Sequence, residues 1–300
     1  MYDEPFGDNS GIPTYLVSRM AKEHVKVSLS ADGGDEVFGG YLKYSRNHNY
    51  YHKLAKIPVP IRRSASGLLT ALGHDRTVKI FKSLPWTSTI GNLEWRVSKI
   101  LNAMKAKDPI EFQDLISSYI SDKTLNELVN SKSSPNGKVE KWPIKDNLVY
   151  SLLGAIDITT YLEGDILAKV DRATMQHALE GREPFLDQHI IEFAMQLPDN
   201  FKLRNGETKW ILKQILDKYV PRELMERPKQ GFAVPTKKWL HTILFDELDN
   251  VYQDKNFVDC FQFNVSKLKA IIQNFKNNAS KQEIPTSYGS VLLYGGITRC

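Results

Sequence analysis

Cysteine is nearly absent from this sequence, which contains only Cys260 and, as its last residue, Cys300. So few cysteines exclude the disulfide framework of a small secreted protein, and a reducing compartment is the default expectation. No stretch approaches the ~20 consecutive apolar residues of a membrane-spanning helix. Residues 1–9 include three acidic residues and lack the basic and apolar regions of a secretory signal. These absences predict a soluble, cytoplasmic protein with no membrane partner.

A strong charge of one sign is also missing. The 300 residues include 40 basic and 35 acidic side chains, a formal net charge of +5. A surplus this small does not predict a nucleic-acid partner, and it is compatible with an anionic small molecule such as a nucleotide. Hydrophobic residues make up 41% and charged residues 25%, which is typical of a chain with a real core. The length suffices for one large domain, or for one domain with a helical annex.

The first forty residues have the pattern of one α/β unit. Apolar residues recur at helical spacing over residues 12–24, and residues 25–29 alternate as in a short strand. A glycine-rich acidic turn at 30–36 ends the strand, and a second helix is predicted to begin near Asp35. In such units the ligand site lies at the carboxyl end of the strand.

After Tyr41 the sequence predicts helices and no further strand. The predicted helices cover residues 95–104, 110–120, 147–161, 189–197, 209–219, 236–252 and 265–275. A single strand leaves both of its edges unpaired. We therefore expect its partner strands to come from residues preceding Met1 in a longer protein or from a second chain. Residues 131–138 and 277–285 have the composition of linkers.

The turn after the predicted strand is the first candidate site, with the sequence Ser-Ala-Asp-Gly-Gly-Asp-Glu-Val-Phe-Gly-Gly-Tyr. Gly33 and Gly34 allow a sharp bend and a close approach to a ligand. Asp32, Asp35 and Glu36 place three carboxylates within five positions, which suits Mg²⁺ bridging phosphates. The alternative is a plain acidic turn with Asp35 as the N-cap of the following helix.

Residues 165–187 form a second candidate segment, in which charged residues alternate with core-type residues. The charged set is Lys169, Asp171, Arg172, Glu180, Arg182 and Asp187. A helix and turn held by partly buried ion pairs would explain most of this set. Arg182 is the residue we expect at a ligand, because a guanidinium binds carboxylates and phosphates through two parallel hydrogen bonds.

The third candidate is Lys229, which lies between Pro228 and a Gln-Gly pair and therefore on a constrained loop. A positioned ammonium there could stabilise phosphates or the oxyanion that develops during acyl transfer. The alternative is a surface lysine in a turn.

In their order along the chain, these segments resemble the synthetase domain of glutamine-hydrolysing asparagine synthetases and their relatives, which include beta-lactam synthetase. The resemblance rests on residues 29–41, on residues 165–187 with their Glu-Gly-Arg-Glu-Pro-Phe-Leu-Asp ending, and on residues 227–239. It implies the α/β edge of an ATP pyrophosphatase-type (adenine nucleotide alpha hydrolase-like) fold over residues 1–46. A large, mostly α-helical body would follow over residues 47–300.

The resemblance also implies an activity and a site. A carboxylate, which is aspartate in the type enzyme, would be adenylated by ATP with Mg²⁺, and ammonia from a glutaminase domain would attack the acyl-adenylate. By the family pattern, Asp32 takes part in forming the intermediate, Asp35 binds the metal, and Lys229 stabilises the transition state. The nucleotide-binding set is predicted to be Ser30, Ala31, Gly33, Gly34 and Asp35. Glu180 and Arg182 are predicted to contact the substrate.

Two departures from the family pattern limit what the chain should do alone, and a third concerns one residue. Tyr2 stands where a cysteine nucleophile would follow the initiator methionine, and no Ser-Gly-Gly-x-Asp-Ser phosphate loop occurs in the chain. Ala31 stands where relatives usually have glycine. We therefore expect an amino-terminally truncated synthetase domain that is inactive unless a glutaminase domain or chain complements it. Self-association into a homodimer is a further expectation.

Two alternative functions remain open at this point. The same fold could amidate a sugar, a peptide or another carboxylate in polysaccharide or secondary metabolism. A non-catalytic scaffold derived from the enzyme is the alternative from another class. Against a scaffold stand Asp32, Asp35 and Lys229, which it would have no reason to keep.

Overall fold

Helices carry most of the chain that the computed structural model describes, namely residues 1–2, 6–83, 93–117, 126–130, 148–225, 232 and 234–277. The helices of the first half are α1 (Gly11–Lys22), α2 (Gly34–Val37), α3 (Leu42–Ala55), α4 (Val59–Ala71), α5 (His74–Lys82), α6 (Leu93–Ala103) and α7 (Pro109–Ser117). Those of the second half are α8 (Val149–Asp157), α9 (Ala168–Met175), α10 (Gln188–Gln196), α11 (Asp199–Lys202), α12 (Trp210–Leu216), α13 (Arg222–Met225), α14 (Thr236–His241), α15 (Leu248–Gln253), α16 (Lys255–Cys260) and α17 (Val265–Asn277). A π-helix (Ile158–Leu167) continues α8, and a 3₁₀-helix spans Pro184–Leu186.

The strands are β1 (Val27–Leu29), β2 (Glu180–Arg182), β3 (Leu203–Arg204) and β4 (Glu207–Thr208). The predicted helix, strand and second helix at the start of the chain are confirmed as α1, β1 and α2. The strand is shorter than predicted, because the Val25 amide donates to the Ala21 carbonyl (2.9 Å) and so belongs to the last turn of α1.

The expectation that no strand follows Tyr41 is wrong. Strand β2 pairs with β1 in parallel, with Val27 opposite Glu180 and Leu29 opposite Arg182. Its sequence, Glu-Gly-Arg, has neither the alternation nor the β-branched residues that identify a strand, and its pairing depends on a segment about 150 residues away. A strand partner that we expected from outside the chain is therefore supplied by the chain itself.

A second small sheet, the β3–β4 hairpin, was also not predicted. Its turn is Asn205-Gly206, with φ of +53° and +82°. Positive φ at both central residues is the geometry of a type I′ turn, for which Asn-Gly is the strongest sequence signal. The signal was present in the sequence, but each flanking strand is only two residues long.

Most of the predicted helices are found, with their ends shifted. There are two exceptions: the predicted helix 236–252 is broken by a turn, and the predicted helix 147–161 continues as a π-helix. Residues 236–252 divide into α14 and α15, since the chain turns at 242–247. The turn lets Leu240 and Leu248 reach one apolar cluster with Ile272 of α17. The prediction for 147–161 is met by α8 and the start of the π-helix. Residues 131–138 lie outside the described residues, as does most of the second predicted linker.

Helix α8 packs against α2, the helix that follows the acidic turn. Its residues Leu152 and Leu153 pack with Tyr44 and Ile110 in a buried cluster. A Cβ placed on Gly154 would lie 2.1 Å from the carbonyl oxygen of Glu36 in α2, so only glycine permits this approach of the two helices. The position of α2 is therefore set by close contact with α8. No helix in the described part of the chain combines the length and apolarity needed to cross a bilayer.

Candidate active site

The carboxyl ends of β1 and β2 lie side by side. The Ser30 amide donates to the Arg182 carbonyl (2.9 Å) and so extends the parallel ladder one residue past β1. The acidic turn that begins at Ser30 and the segment that begins at Glu183 therefore leave the sheet at the same edge. In open α/β sheets, ligands bind in the crevice outside this edge.

Hydrogen bonds and close packing hold the acidic turn. The Ser30 hydroxyl donates to Asp32 Oδ2 (2.5 Å) and accepts from the Asp32 amide (3.0 Å). Gly33 has φ of +81°, and a Cβ there would lie 2.1 Å from Leu186 Cδ2. A Cβ on Gly34 would lie 3.0 Å from Phe185 Cδ2. Both glycines therefore pack against residues 184–186. That Gly33, Gly34 and Ala31 contact a nucleotide stays a prediction.

Glu183 adds a carboxylate that the sequence analysis did not single out. It is half-buried, and burial raises its pKa, as do the nearby carboxylates of Asp32 and Asp171. Glu183 directly follows the segment Glu-Gly-Arg, and this position could have indicated a site residue. That interpretation would have required knowing that the segment is a strand. The crevice thus concentrates negative charge from two separate parts of the chain.

Asp35 forms an ion pair with Lys209, in which Oδ1 lies 3.1 Å from Nζ. A Cβ on Gly40 would lie 1.8 Å from Asp35 Oδ1, so the glycine leaves the room that this carboxylate occupies. Lys209 adopts a left-handed conformation (φ +52°) just before α12. The sequence did not indicate that Lys209 pairs with Asp35, because the contact joins segments far apart along the chain.

The described residues supply part of a site for the predicted Mg²⁺. No group of three or more His, Cys, Asp or Glu side chains among them is arranged to hold a metal ion. Mg²⁺ nevertheless needs only one or two carboxylates when phosphates and water supply its other oxygens. Asp35, about a quarter exposed, fits that mode of binding but not a cage made of protein ligands alone.

Glu36 does not belong to the crevice, contrary to the prediction of three carboxylates at the end of the strand. Its side chain is 1% exposed and accepts a hydrogen bond from the Tyr41 hydroxyl (2.7 Å). Burial raises its pKa, an effect that the Tyr41 hydrogen bond opposes. Consecutive residues on a helix point about 100° apart, so Asp35 can face outward while Glu36 faces the core.

Lys169 and Arg182, from the second predicted segment, make separate ion pairs. Lys169 contacts Asp8 (2.6 Å) in a largely buried pair, whereas Arg182 contacts Glu180 (2.7 Å) on the exposed face of β2. Asp187 instead caps α10 by accepting from the His189 amide (2.9 Å). A role of Glu180 and Arg182 at a substrate stays a prediction. Lys229 lies outside the described residues, and so does its predicted convergence with the acidic turn.

Comparison with known proteins agrees with the resemblance. The chain matches the family described as Asparagine synthase over residues 1–288, and it belongs to that family. Asparagine synthetase (glutamine-hydrolyzing) 1 of Bacillus subtilis (strain 168) is 32% identical over 259 residues, which cover 84% of this chain and 38% of the relative. The predicted family is therefore confirmed.

Other relatives agree. A putative asparagine synthetase (glutamine-hydrolyzing) of Mycobacterium bovis is 32% identical over 246 residues, or 79% of this chain and 34% of that protein. A putative asparagine synthetase (glutamine-hydrolyzing) 2 of Methanocaldococcus jannaschii is 46% identical over 76 residues, or 23% of this chain and 15% of that protein. No solved structure matches. The chain spans little more than a third of the length of the Bacillus relative.

Proposed function

We propose that this chain is the carboxy-terminal part of the synthetase domain of an AMP-forming carbon–nitrogen ligase, which makes asparagine from aspartate, ATP and glutamine-derived ammonia. Membership of the Asparagine synthase family supports this reaction class. The observation that carries the proposal is the crevice at the joint carboxyl ends of β1 and β2, where the turn from Ser30 to Asp35 lies beside Glu183.

The charges of the crevice suit a nucleotide carrying a divalent cation. Asp32 and Glu183 bring two carboxylates close together, and a bound cation would relieve their repulsion. Asp35 would hold Mg²⁺, whose charge neutralises phosphate oxygens when it is bound. Lys209, 3.1 Å from Asp35, provides an ammonium within reach of the same phosphates. Lys229 is proposed, from the family pattern, to stabilise the charge that develops on the acyl group.

An exposed apolar surface supports the proposal that another polypeptide segment completes the site. Leu16, Val17 and Met20 on α1 are exposed, and so are Val27 and Leu29 on β1, with Leu29 73% exposed. Where such side chains adjoin, an exposed apolar patch marks a protein–protein contact. We propose that it packs against the glutaminase-bearing part of a complete enzyme, whether on the same chain or on another.

The test is a complementation assay. The chain is mixed with the remaining portion of the Bacillus subtilis relative, and pyrophosphate release is measured with ATP, Mg²⁺, aspartate and ammonium. Ammonium replaces glutamine so that the synthetase reaction is measured by itself. We expect release from the mixture but not from the chain alone. We also expect Asp32→Asn and Asp35→Asn each to lower the rate at least about tenfold, since each removes a charge that acts on the reacting groups.

Asp217→Asn is the matched control, because Asp217 is an exposed aspartate on the turn after α12. It should leave the rate unchanged. Equal rates for all three variants would contradict the proposed site, and full activity of the chain alone would contradict the need for a partner.

A further inference from the structure

A cavity of about 820 Å³ lies in the helical body, apart from the crevice at the strand ends. Helices α3, α6 and α7 form its walls, and the π-helix closes one side through Thr160 and Tyr161. Its volume falls within the range of about 300–1,000 Å³ that is usual for small-molecule sites. Tyr41 also lines the cavity, and its hydroxyl donates to the buried carboxylate of Glu36 in α2 (2.7 Å).

Most of the cavity wall is apolar. The aliphatic and aromatic side chains that line it include Leu54, Phe81, Leu93, Ile100, Met104 and Ile116. A ligand that fills this space would gain from burying a hydrocarbon or aromatic body.

The charges at the cavity are strongly one-sided. Its basic residues are Lys43, Arg46, Arg96 and Lys99, and Asp157 is the only acidic residue in the described lining. Asp157 is already engaged, because Lys43 (2.6 Å) and the Tyr44 hydroxyl (2.6 Å) both contact its carboxylate.

Two arginines are thereby left to bind a ligand. Arg46 and Arg96 are both exposed, and neither forms an ion pair with another described residue. Lys99, 9% exposed, donates from Nζ to the Ile116 carbonyl (2.5 Å) at the wall. The cavity therefore combines an apolar interior with an excess of positive charge.

Asn47 adds a polar side chain to the lining of the cavity. The residue is 4% exposed, and its Nδ2 donates to Gln113 Oε1 (2.7 Å). Its Oδ1 is buried and has no hydrogen-bond partner in the described part of the chain. An amide oxygen accepts hydrogen bonds and an ionised carboxylate cannot donate one, so this atom is not a contact for an anion.

We propose that this cavity binds an amphipathic anion, a carboxylate carried on an aliphatic or aromatic body. The arginines would hold the carboxylate through charge-assisted hydrogen bonds, and the walls of α6 and α7 would enclose the apolar part. Lys43, engaged by Asp157, would stay with its own partner. The inference does not depend on asparagine synthesis, because none of these residues belongs to the crevice at the strand ends.

Calorimetric titration of the chain with decanoate tests the proposal, with decanol as the neutral probe of equal length. Decanoate should bind, and decanol should bind at least about tenfold more weakly, because it cannot replace the charge-assisted hydrogen bonds. Arg46→Gln and Arg96→Gln should each weaken decanoate binding by about tenfold and leave decanol binding unchanged. Lys53→Gln, which removes an exposed cation of α3 that does not line the cavity, should change neither.

Ile100→Trp is a second kind of variant, which should weaken binding of both probes because the larger side chain takes up part of the cavity. Equal affinity for decanol and decanoate, or unchanged affinity in the arginine variants, would overturn the assignment of an anion site. Absence of decanoate binding would overturn it as well. Because no nucleotide is present, failure here leaves the pyrophosphate assay unaffected. Adding decanoate in place of aspartate to that assay shows whether the bound anion is an acceptor or only a ligand.

Discussion

At the scale of the residue, Lys202 is a fully buried ammonium on α11. Its Nζ has no hydrogen-bond partner in the described part of the chain, and burial lowers its pKa from 10.5 to about 8, with nearby Asp199 opposing the shift. Because its pKa is lower in the folded state than in the unfolded chain, protonation of Lys202 favours the unfolded chain and so destabilises the fold. This destabilisation is complete below pH 8 and disappears as the pH rises towards 10.5.

Lys202→Met should therefore raise the free energy of unfolding at pH 7 by about 1–3 kcal/mol, because an apolar side chain of similar length replaces an unpaired buried charge. The gain should shrink at pH 10, where the lysine is neutral in the folded state. Urea denaturation at both pH values measures it. Lys218→Met, at an exposed lysine, serves as the control and should have no effect. A loss of stability in Lys202→Met would show that the ammonium has a partner in solution.

Asp165, on the π-helix, carries the opposite kind of shift. Burial, aided by the neighbouring Asp8 carboxylate, raises its pKa from 3.8 to about 6, and Lys169 opposes the shift. The folded state then holds a proton that the unfolded chain has lost, so stability falls as the pH rises from about 4 through 6.

Asp165→Asn should stabilise the protein by about 1 kcal/mol above pH 6 and have little effect near pH 4. Asp8→Asn is the contrasting variant, because hydrogen bonds to Lys169 and Ser10 lower the pKa of Asp8 despite its burial. It should destabilise the protein at neutral pH. Thermal denaturation from pH 4 to 7 distinguishes the two, and the same sign for both variants would contradict this account.

At the scale of the element, the contact of α8 with α2 determines where the acidic turn stands. A Cβ placed on Gly154 of α8 would lie 2.1 Å from the Glu36 carbonyl oxygen. A Cβ placed on Gly67 of α4 would meet no atom within 4 Å. The same substitution in two helices should therefore have opposite effects.

Gly154→Ala should lower the free energy of unfolding by about 2 kcal/mol, because backbone atoms must move to admit the methyl group. Gly67→Ala should raise it by up to about 1 kcal/mol through the higher helix propensity of alanine. Chemical denaturation of both variants checks the pair. A stabilising Gly154→Ala would mean that the two helices are not in close contact.

Elements with a strong local pattern were predictable, and elements defined by a distant partner were not. The periodic apolar residues of α1, α6 and α17 indicated helices in the right places. Strand β2 was missed because Glu-Gly-Arg becomes a strand only through its pairing with β1. The break between α14 and α15 follows from the shared cluster around Ile272, which no local pattern reveals.

At the scale of the whole molecule, the candidate site depends on contacts between distant parts of the chain. Pairing of β1 with β2 brings Glu183 to the edge where Asp32 and Ser30 lie, and the Asp35–Lys209 ion pair joins α2 to the start of α12. The motifs indicated the family, which is confirmed. They could not indicate that Glu183 and Lys209 belong with the acidic turn, or that Glu36 does not.

The sequence by itself determined the family, the order of the helices and the glycine-rich acidic turn, because these depend on residue types at short spacing. Only the tertiary structure decided the parallel strand pair, the burial of Glu36 and the cationic cavity of the helical body. Each of these arises where segments far apart in the chain come into contact. The burial and the hydrogen bonding that stabilise such contacts depend on both segments, so neither segment reveals them alone.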